Sequence, residues 1–186
     1  KVQSYVALLG SCLVATPALA IGCFLPAGAQ PGVNISVVAP EMAVLCGRQA
    51  DAVSAAAQRM GWAATETDWH ALLTHDGVQL IDVCTPGDSH AEIAIAALQA
   101  GKHVLCEKPL ANTVAEAEAM AQAAAEASSR GVRSMVAFNY RRVPAIALAR
   151  RLIEQGRLGE IRHVRAVYLQ DWIVDPEFPL VWRLQR

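Results

Sequence analysis

From residue 41 onward, short apolar runs alternate with longer segments in which alanine and charged residues recur at helical spacing. The apolar runs have no polar face, which is typical of strands covered on both sides, and the intervening segments are long enough for right-handed crossovers. The predicted strands are 41–47, 78–84, 103–106 and 134–139, and the predicted helices are 49–61, 68–75, 88–101, 112–131 and 144–156. This alternation predicts an α/β fold with a parallel sheet between two layers of helices.

The pattern changes after residue 156. The stretch "GEIRHVRAVYLQDW" alternates side chains between two faces, as a long strand does, and no further strand–helix unit follows. We therefore expect residues 157–186 to be the beginning of a second, more antiparallel α+β domain that is cut short, after a doubly wound α/β domain at 41–156.

Residues 1–40 form a third, atypical segment, since Val2 to Pro40 contains no charged residue and no histidine. Three interpretations stay open. Residues 1–27 resemble a secretory signal or membrane anchor, although prolines and glycines interrupt them. The segment also fits a degenerate first strand–helix unit, with a strand at 5–10. Finally, an altered reading frame would produce such a bias.

The composition excludes some classes of protein. Of 186 residues 54% are hydrophobic, and the net charge of −1 lacks the basic excess of nucleic-acid binders, so no nucleic-acid partner is expected. The five cysteines form no CxxC pair and no metal-ligand spacing, which predicts buried thiols and no metal site. A reducing, cytoplasmic location is favoured, with export as the alternative if the N-terminal signal is genuine.

Polar residues follow the predicted strands at their carboxyl ends, where doubly wound sheets place their ligands. After the strand at 103–106 come Glu107, Lys108 and Pro109. A lysine in such a crevice can hold a substrate hydroxyl and take its proton when burial lowers its pKa, and Pro109 restricts the backbone before it. The alternative is a solvated surface lysine paired with Glu107.

Two other loops suggest a nucleotide. Thr85 and Pro86 begin a turn that leads into a helix N-terminus, where free N–H groups suit a phosphate or ribose. Simple capping by Asp88 or Ser89 is the alternative, and His90 either contacts a ligand or is an exposed histidine. Arg48 stands where NAD enzymes usually place an acid, which favours NADP slightly over NAD.

The glycine fingerprint of dinucleotide-binding folds is incomplete. In "LLGSCLVA", Gly10 fits the first glycine and Ala15 suits the third, but Cys12 occupies the second, where the pyrophosphate needs close backbone approach. Pro17 would also break the helix that should follow. We therefore expect this chain by itself to bind NAD(P) poorly.

The stretch "IDVCTPGDSHAEIAIAALQAGKHVLCEKPLANTVAEAEAM" resembles the Gfo/Idh/MocA family of oxidoreductases, which includes glucose–fructose oxidoreductases and inositol dehydrogenases. Its T-P-x-x-x-H, E-K-P and A-F-N-Y-R motifs carry the resemblance from about residue 41 to the C-terminus. The resemblance implies a Rossmann-like, doubly wound domain, NAD or NADP as cofactor, a sugar or polyol substrate and a homo-oligomer in the complete protein.

The resemblance also implies roles for individual residues. Lys108 would be the active-site lysine, and Glu107 would contact the nicotinamide ribose. Thr85, Pro86 and His90 would line the cofactor, and Asn139 would lie near the nicotinamide. Trp182 and Arg183 would approach the ligand, in a segment that leads into the family's Asp- and His-containing motif.

Two classes of function follow. The first is an NAD(P)-dependent dehydrogenase that oxidises a hydroxyl, or reduces a ketone, of a sugar or cyclitol, with Lys108 at the substrate oxygen. The alternative is a non-catalytic, truncated or frame-altered relative that binds a nucleotide weakly or not at all.

Overall fold

The computed structural model of the protein describes residues 4–9, 41–171 and 173–179. The expectations for Gly10, for the rest of the incomplete fingerprint and for Trp182 and Arg183 lie outside the described residues.

In the described part of the chain, six strands form one sheet in which every neighbouring pair is parallel. The spatial order is β3-β2-β1-β4-β5-β6, that of a doubly wound dinucleotide-binding sheet. The strands are β1 Ser4–Leu9, β2 Glu41–Cys46, β3 Ala64–Glu66, β4 Leu80–Cys84, β5 His103–Cys106 and β6 Ser134–Val136. The predicted α/β, Rossmann-like fold is confirmed.

The five α-helices of the described residues are α1 Ala50–Met60, α2 His70–Thr74, α3 His90–Gln99, α4 Val114–Ser129 and α5 Pro144–Glu154. Helix α1 ends at Gly61, whose φ of 78° is left-handed and favours glycine. Helix α4 begins with a capping box in which Thr113 and Glu116 each bond the other's backbone N–H. Helix α2 begins two residues later than predicted, and the backbone N–H of its first residue, His70, donates to Oδ1 of Asp68 at 3.0 Å.

Strand β3 is the element that the hydrophobic pattern misses. Its three residues, Ala64, Thr65 and Glu66, contain no apolar run, and it forms only by pairing with the outer edge of β2. Such a strand is defined by its neighbour rather than by its own sequence.

The core lies on both faces of the sheet. Leu45 and Leu80 belong to one buried cluster with residues of α1, whereas their chain neighbours Val44 and Ile81 belong to another, with residues of α3 and α4. Successive strand residues therefore point to opposite covered faces, which explains why the strands are apolar throughout.

The chain divides into two compact units, Lys1–Ile146 and Ala147–Arg186. The expected long strand after residue 156 is not formed: no strand is assigned within the described residues 157–171. Its alternating apolar side chains, such as Val164 and Val167, are exposed. A strand requires hydrogen bonds to a neighbouring strand, and none of the six described strands pairs with this stretch.

Among the helices that the structure describes, none is both long and apolar enough to cross a bilayer.

Candidate functional site at the carboxyl edge of the sheet

Because all described strands are parallel, the loops that follow them lie along one edge of the sheet. The chain runs from β1 outward to β2 and β3, and then crosses to β4 on the other side of β1. The strand order reverses at β1 and β4, which is where a crevice opens in doubly wound sheets. The loops after β4 and β5 therefore border the expected ligand position.

The loop after β5 carries the E-K-P motif. The backbone N–H of Glu107 donates to the carbonyl of Val83 at 2.9 Å, which ties the start of this loop to β4. The Glu107 carboxylate turns back and accepts the N–H of Lys108 at 3.1 Å. No ion pair joins Lys108 to a carboxylate in the described residues, so the Glu107 pairing of the surface-lysine alternative is not found, although Lys108 is exposed as that alternative expects. The Lys108 side chain is exposed at this edge, and the Lys108–Pro109 peptide bond is cis.

The loop after β4 folds back on itself. The Ser89 Oγ lies 2.7 Å from the Thr85 Oγ1 and 2.8 Å from the carbonyl oxygen of Pro86. These contacts hold Thr85 half-buried beside the crevice. The expected capping of the following helix by Asp88 or Ser89 is not found, since neither side chain bonds a backbone N–H at the helix start. The Ser89 hydroxyl is instead engaged within its own loop.

His90 is buried, with only 1% of its surface exposed, so the interpretation as an exposed histidine is wrong. Its Nδ1 lies 2.8 Å from the carbonyl oxygen of Pro109, and its Nε2 lies 2.7 Å from that of Thr85. The imidazole thus stands between the two loops rather than at the open edge.

A second contact brings the same two loops together. A Cβ added to Gly87 would lie 2.7 Å from Oδ1 of Asn112 and 3.8 Å from Cγ of Pro109. Glycine at this position therefore permits the loops to approach closely, and its φ is not the reason.

Arg48 and Asn139 lie at the ends of other strands and are exposed. Arg48 follows β2 after Gly47, and the N–H of Gly47 donates to the carbonyl of Glu66 at 3.1 Å. The carboxylates of Glu66 and Asp68 are near enough to help raise the pKa of Cys46. The end of β2 therefore has acidic as well as basic neighbours, which the sequence order alone does not reveal.

The thiols near this edge are protonated rather than reactive. Burial, assisted by neighbouring carboxylates, raises the pKa of Cys46 and of Cys106 to about 12, and burial also raises that of Cys84. A thiol with such a pKa is a poor nucleophile at neutral pH. The prediction of buried thiols holds for Cys46 and Cys106, whereas Cys84 is partly exposed.

Asp82 is the polar residue that the sequence reading missed. It lies within β4 with 5% of its surface exposed, and its charge helps raise the pKa of both Cys84 and Cys106. The signal was present in the sequence, because an acid within the apolar run "LIDVC" must be buried if that run is a covered strand.

Comparison with known proteins agrees with this architecture. The sequence profile of an oxidoreductase family with an NAD-binding Rossmann fold, Gfo/Idh/MocA, matches residues 21–137. The chain belongs to this family, as the resemblance of its motifs predicted. The match begins well before residue 41, where the recognisable motifs begin.

Individual relatives are dehydrogenases and oxidoreductases. The chain is 44% identical over 147 residues to levoglucosan dehydrogenase of Pseudarthrobacter phenanthrenivorans, covering 79% of this chain and 37% of that relative. The structure of an oxidoreductase domain protein from Kribbella flavida is 58% identical, with a TM-score of 0.84, and covers 100% of this chain. A levoglucosan dehydrogenase in complex with NADH and levoglucosan is 38% identical, with a TM-score of 0.79 over 98% of this chain. The chain spans 48% of each of these two solved structures.

Proposed function

We propose that this chain supplies the cofactor-binding part and the active-site lysine of an NAD(P)-dependent dehydrogenase acting on a hydroxyl or ketone of a sugar or cyclitol. The observation that carries the proposal is the position of Lys108. Its amine is exposed at the carboxyl edge of β5, one strand from the point where the strand order reverses. Membership in the oxidoreductase family and the name of the relative that acts on levoglucosan support the substrate class.

The groups along this edge fit a nicotinamide dinucleotide. Thr85 presents a hydroxyl, Glu107 a carboxylate and Asn139 an amide, all suited to ribose hydroxyls or a carboxamide. Gly87 keeps the loop after β4 free of a side chain where it meets the next loop. Gly10, proposed for the pyrophosphate, lies outside the described residues. When bound, the nicotinamide would accept or give the hydride at its C4 atom.

Lys108 would act on the substrate oxygen. In the oxidation direction, the amine accepts the proton of the hydroxyl while the hydride leaves the same carbon, so that the alcohol becomes a ketone. In the reverse direction, the ammonium donates its proton to the ketone oxygen. Pro109, whose carbonyl is bound by His90, holds the backbone next to this amine.

The choice between NAD and NADP would be set at the end of β2. Arg48 offers a positive charge to a 2′-phosphate, in line with the slight preference expected for NADP. The nearby carboxylates of Glu66 and Asp68 would repel that 2′-phosphate, and one solved relative is a complex with NADH. We therefore propose that Arg48 favours the binding of NADP and that Glu66 disfavours it.

We also propose a compartment for the protein. Cys46, Cys84 and Cys106 are free thiols, which supports a reducing, cytoplasmic location.

Substitution of Lys108 tests the proposed function. In the full-length protein, with levoglucosan and NAD⁺ as first substrates and NADH absorbance as the signal, Lys108→Ala should lower kcat by roughly 10²–10⁴. NADH affinity, measured by fluorescence titration, should change little, because the amine is assigned to the substrate. Lys108→Ala with near-wild-type kcat would exclude the proton-transfer role.

A matched control is Lys102→Ala. The Lys102 amine bonds the carbonyls of His75 and Val78, far from the carboxyl edge, so this variant removes a lysine without touching the site. It should lose thermal stability rather than kcat. If wild-type protein turns over neither levoglucosan nor a panel of hexoses and inositols, the proposed substrate class is wrong.

A further inference from the structure

We propose that His90 is a positioning residue that joins the loop after β4 to the loop after β5 and thereby fixes where Lys108 stands. The inference rests on the proposed function for its effect on turnover, but the connection itself can be measured without cofactor or substrate.

The imidazole makes one contact with each loop. The oxygen at 2.8 Å from Nδ1 belongs to Pro109, the residue directly after Lys108. The oxygen at 2.7 Å from Nε2 belongs to Thr85, the first residue after β4. Both loops have left the sheet, so these two carbonyls need donor partners that the strand ladder does not supply.

The ring is held by a rigid support. His90 is the first residue of α3, and the next two turns bury Ile93, Ala94 and Ala97 in the core. With the ring itself 1% exposed, water cannot replace either contact without opening the structure. A buried carbonyl that loses its donor is left without a hydrogen bond, which destabilises the loop that carries it.

The chemistry of the two partners explains why histidine is used. Both are carbonyl oxygens, which only accept, so each contact is a hydrogen bond when the facing ring nitrogen carries a proton: the doubly protonated ring donates to both, and the neutral ring donates to one. An amide side chain offers its N–H₂ group on one side and an oxygen on the other. Glutamine can therefore donate to one of the two carbonyls, as the neutral ring does, but it cannot bridge both as the doubly protonated ring does.

Gly87 and Asn112 are a second place where the same two loops lie close together. A Cβ at Gly87 would lie 2.7 Å from Oδ1 of Asn112, three residues after Pro109. The two loops thus meet at the last residue of the E-K-P turn and just after it, and His90 provides hydrogen bonding at that junction.

The first test measures the junction itself. Amide hydrogen exchange on full-length protein without cofactor should be faster in residues 85–89 and 107–112 of His90→Gln, and faster still in His90→Phe. Exchange in residues 114–129 should be unchanged. His75→Gln is the matched control, because His75 is exposed and contacts neither loop. Unchanged exchange in both loops of His90→Phe would overturn the proposal, whether or not the protein is a dehydrogenase.

The second test separates positioning from general destabilisation. With levoglucosan and NAD⁺, His90→Gln should lower kcat by about 10²-fold, the effect of misplacing a reacting group by about 1 Å. The dissociation constant of the same variant for NADH should change by less than about threefold, far less than kcat. Equal loss of kcat and NADH affinity would show that His90 lines the cofactor, and unchanged kcat would show that it does not position Lys108. Either result overturns the inference, whereas inactive wild-type protein refutes only the proposed function.

Discussion

At the scale of single residues, the carboxyl edge of the sheet combines groups of different character. Lys108 is exposed, while His90, assigned to the same site by its motif, is buried and bonds only backbone. A sequence motif assigns several residues to one site, but it does not show which of their side chains are accessible to the ligand. Burial separates the two kinds, because a buried ring with both nitrogens against carbonyls has no free edge.

The proposed opposition of Arg48 and Glu66 leads to a prediction about cofactor preference. Arg48→Ala should lower kcat/KM for NADP about tenfold more than for NAD, since a charge-assisted hydrogen bond contributes about 1.5–3 kcal/mol. Glu66→Gln should shift the preference in the opposite direction, by removing a negative charge near the end of β2. Initial rates with both cofactors measure the two ratios.

The matched control for this pair is Asp76→Asn, which removes an exposed carboxylate from the loop before β4, at the opposite end of that strand from the site. It should leave the NADP-to-NAD ratio unchanged. If Arg48→Ala changes both kcat/KM values equally, Arg48 does not recognise the 2′-phosphate.

At the scale of elements, β6 is attached to β5 by a side chain as well as by its ladder. The backbone N–H of Arg133, just before β6, donates to Nδ1 of His103 at 2.9 Å. Burial, and then the charge of Arg133, lowers the pKa of His103. The neutral ring is therefore the form that the folded protein favours.

The sign of the resulting pH dependence is determined by that shift. Below about pH 6.5, the usual histidine value, the unfolded chain takes up a proton that folded His103 resists. The stabilising contribution is present above this pH and is lost as the pH falls through the lower, folded pKa. Thermal unfolding between pH 7.5 and 5 should show a smaller decrease in Tm for His103→Gln than for wild type.

His163→Gln serves as the comparison, because His163 is exposed and bonds no strand. Its Tm should follow the wild-type pH profile. A His103→Gln profile parallel to wild type would show that protonation of His103 does not weaken the attachment of β6.

At the scale of the whole molecule, β1 holds the two halves of the sheet together. It pairs with β2 on one side and β4 on the other, with Val6 opposite Val44 and Ile81. The two halves of the sheet are hydrogen-bonded to each other only through this one central strand in the described residues. A defect there therefore affects both halves, unlike a defect in an edge strand.

Val6→Pro should consequently destabilise the entire sheet. Proline removes a backbone donor from the ladder, and the unsatisfied acceptor alone costs about 1–3 kcal/mol. For a chain of this size each 1 kcal/mol corresponds to about 2–4 °C in Tm. Circular dichroism during heating measures the loss. Val164→Pro, in the stretch without an assigned strand, should leave Tm nearly unchanged, and equal losses in both variants would contradict the central role of β1.

The sequence by itself determined the class of fold and the family. Strands without a polar face can be stable only between two layers, and the T-P-x-x-x-H and E-K-P motifs follow two of them. The ends of some helices could also be predicted from the sequence, because residues close in the chain determine them. Gly61 ends α1, and Thr113 with Glu116 begins α4.

Only the tertiary structure decided what depends on distant partners. Strand β3 exists because β2 offers an edge, and the expected strand after residue 156 is not formed because no neighbour pairs with it in the described residues. His90 changed from a candidate ligand contact to a proposed link between loops, since Thr85 and Pro109 meet only when β4 and β5 are adjacent. Local patterns record the preferences of a segment, whereas pairing, burial and loop contacts depend on residues that the chain brings together only on folding.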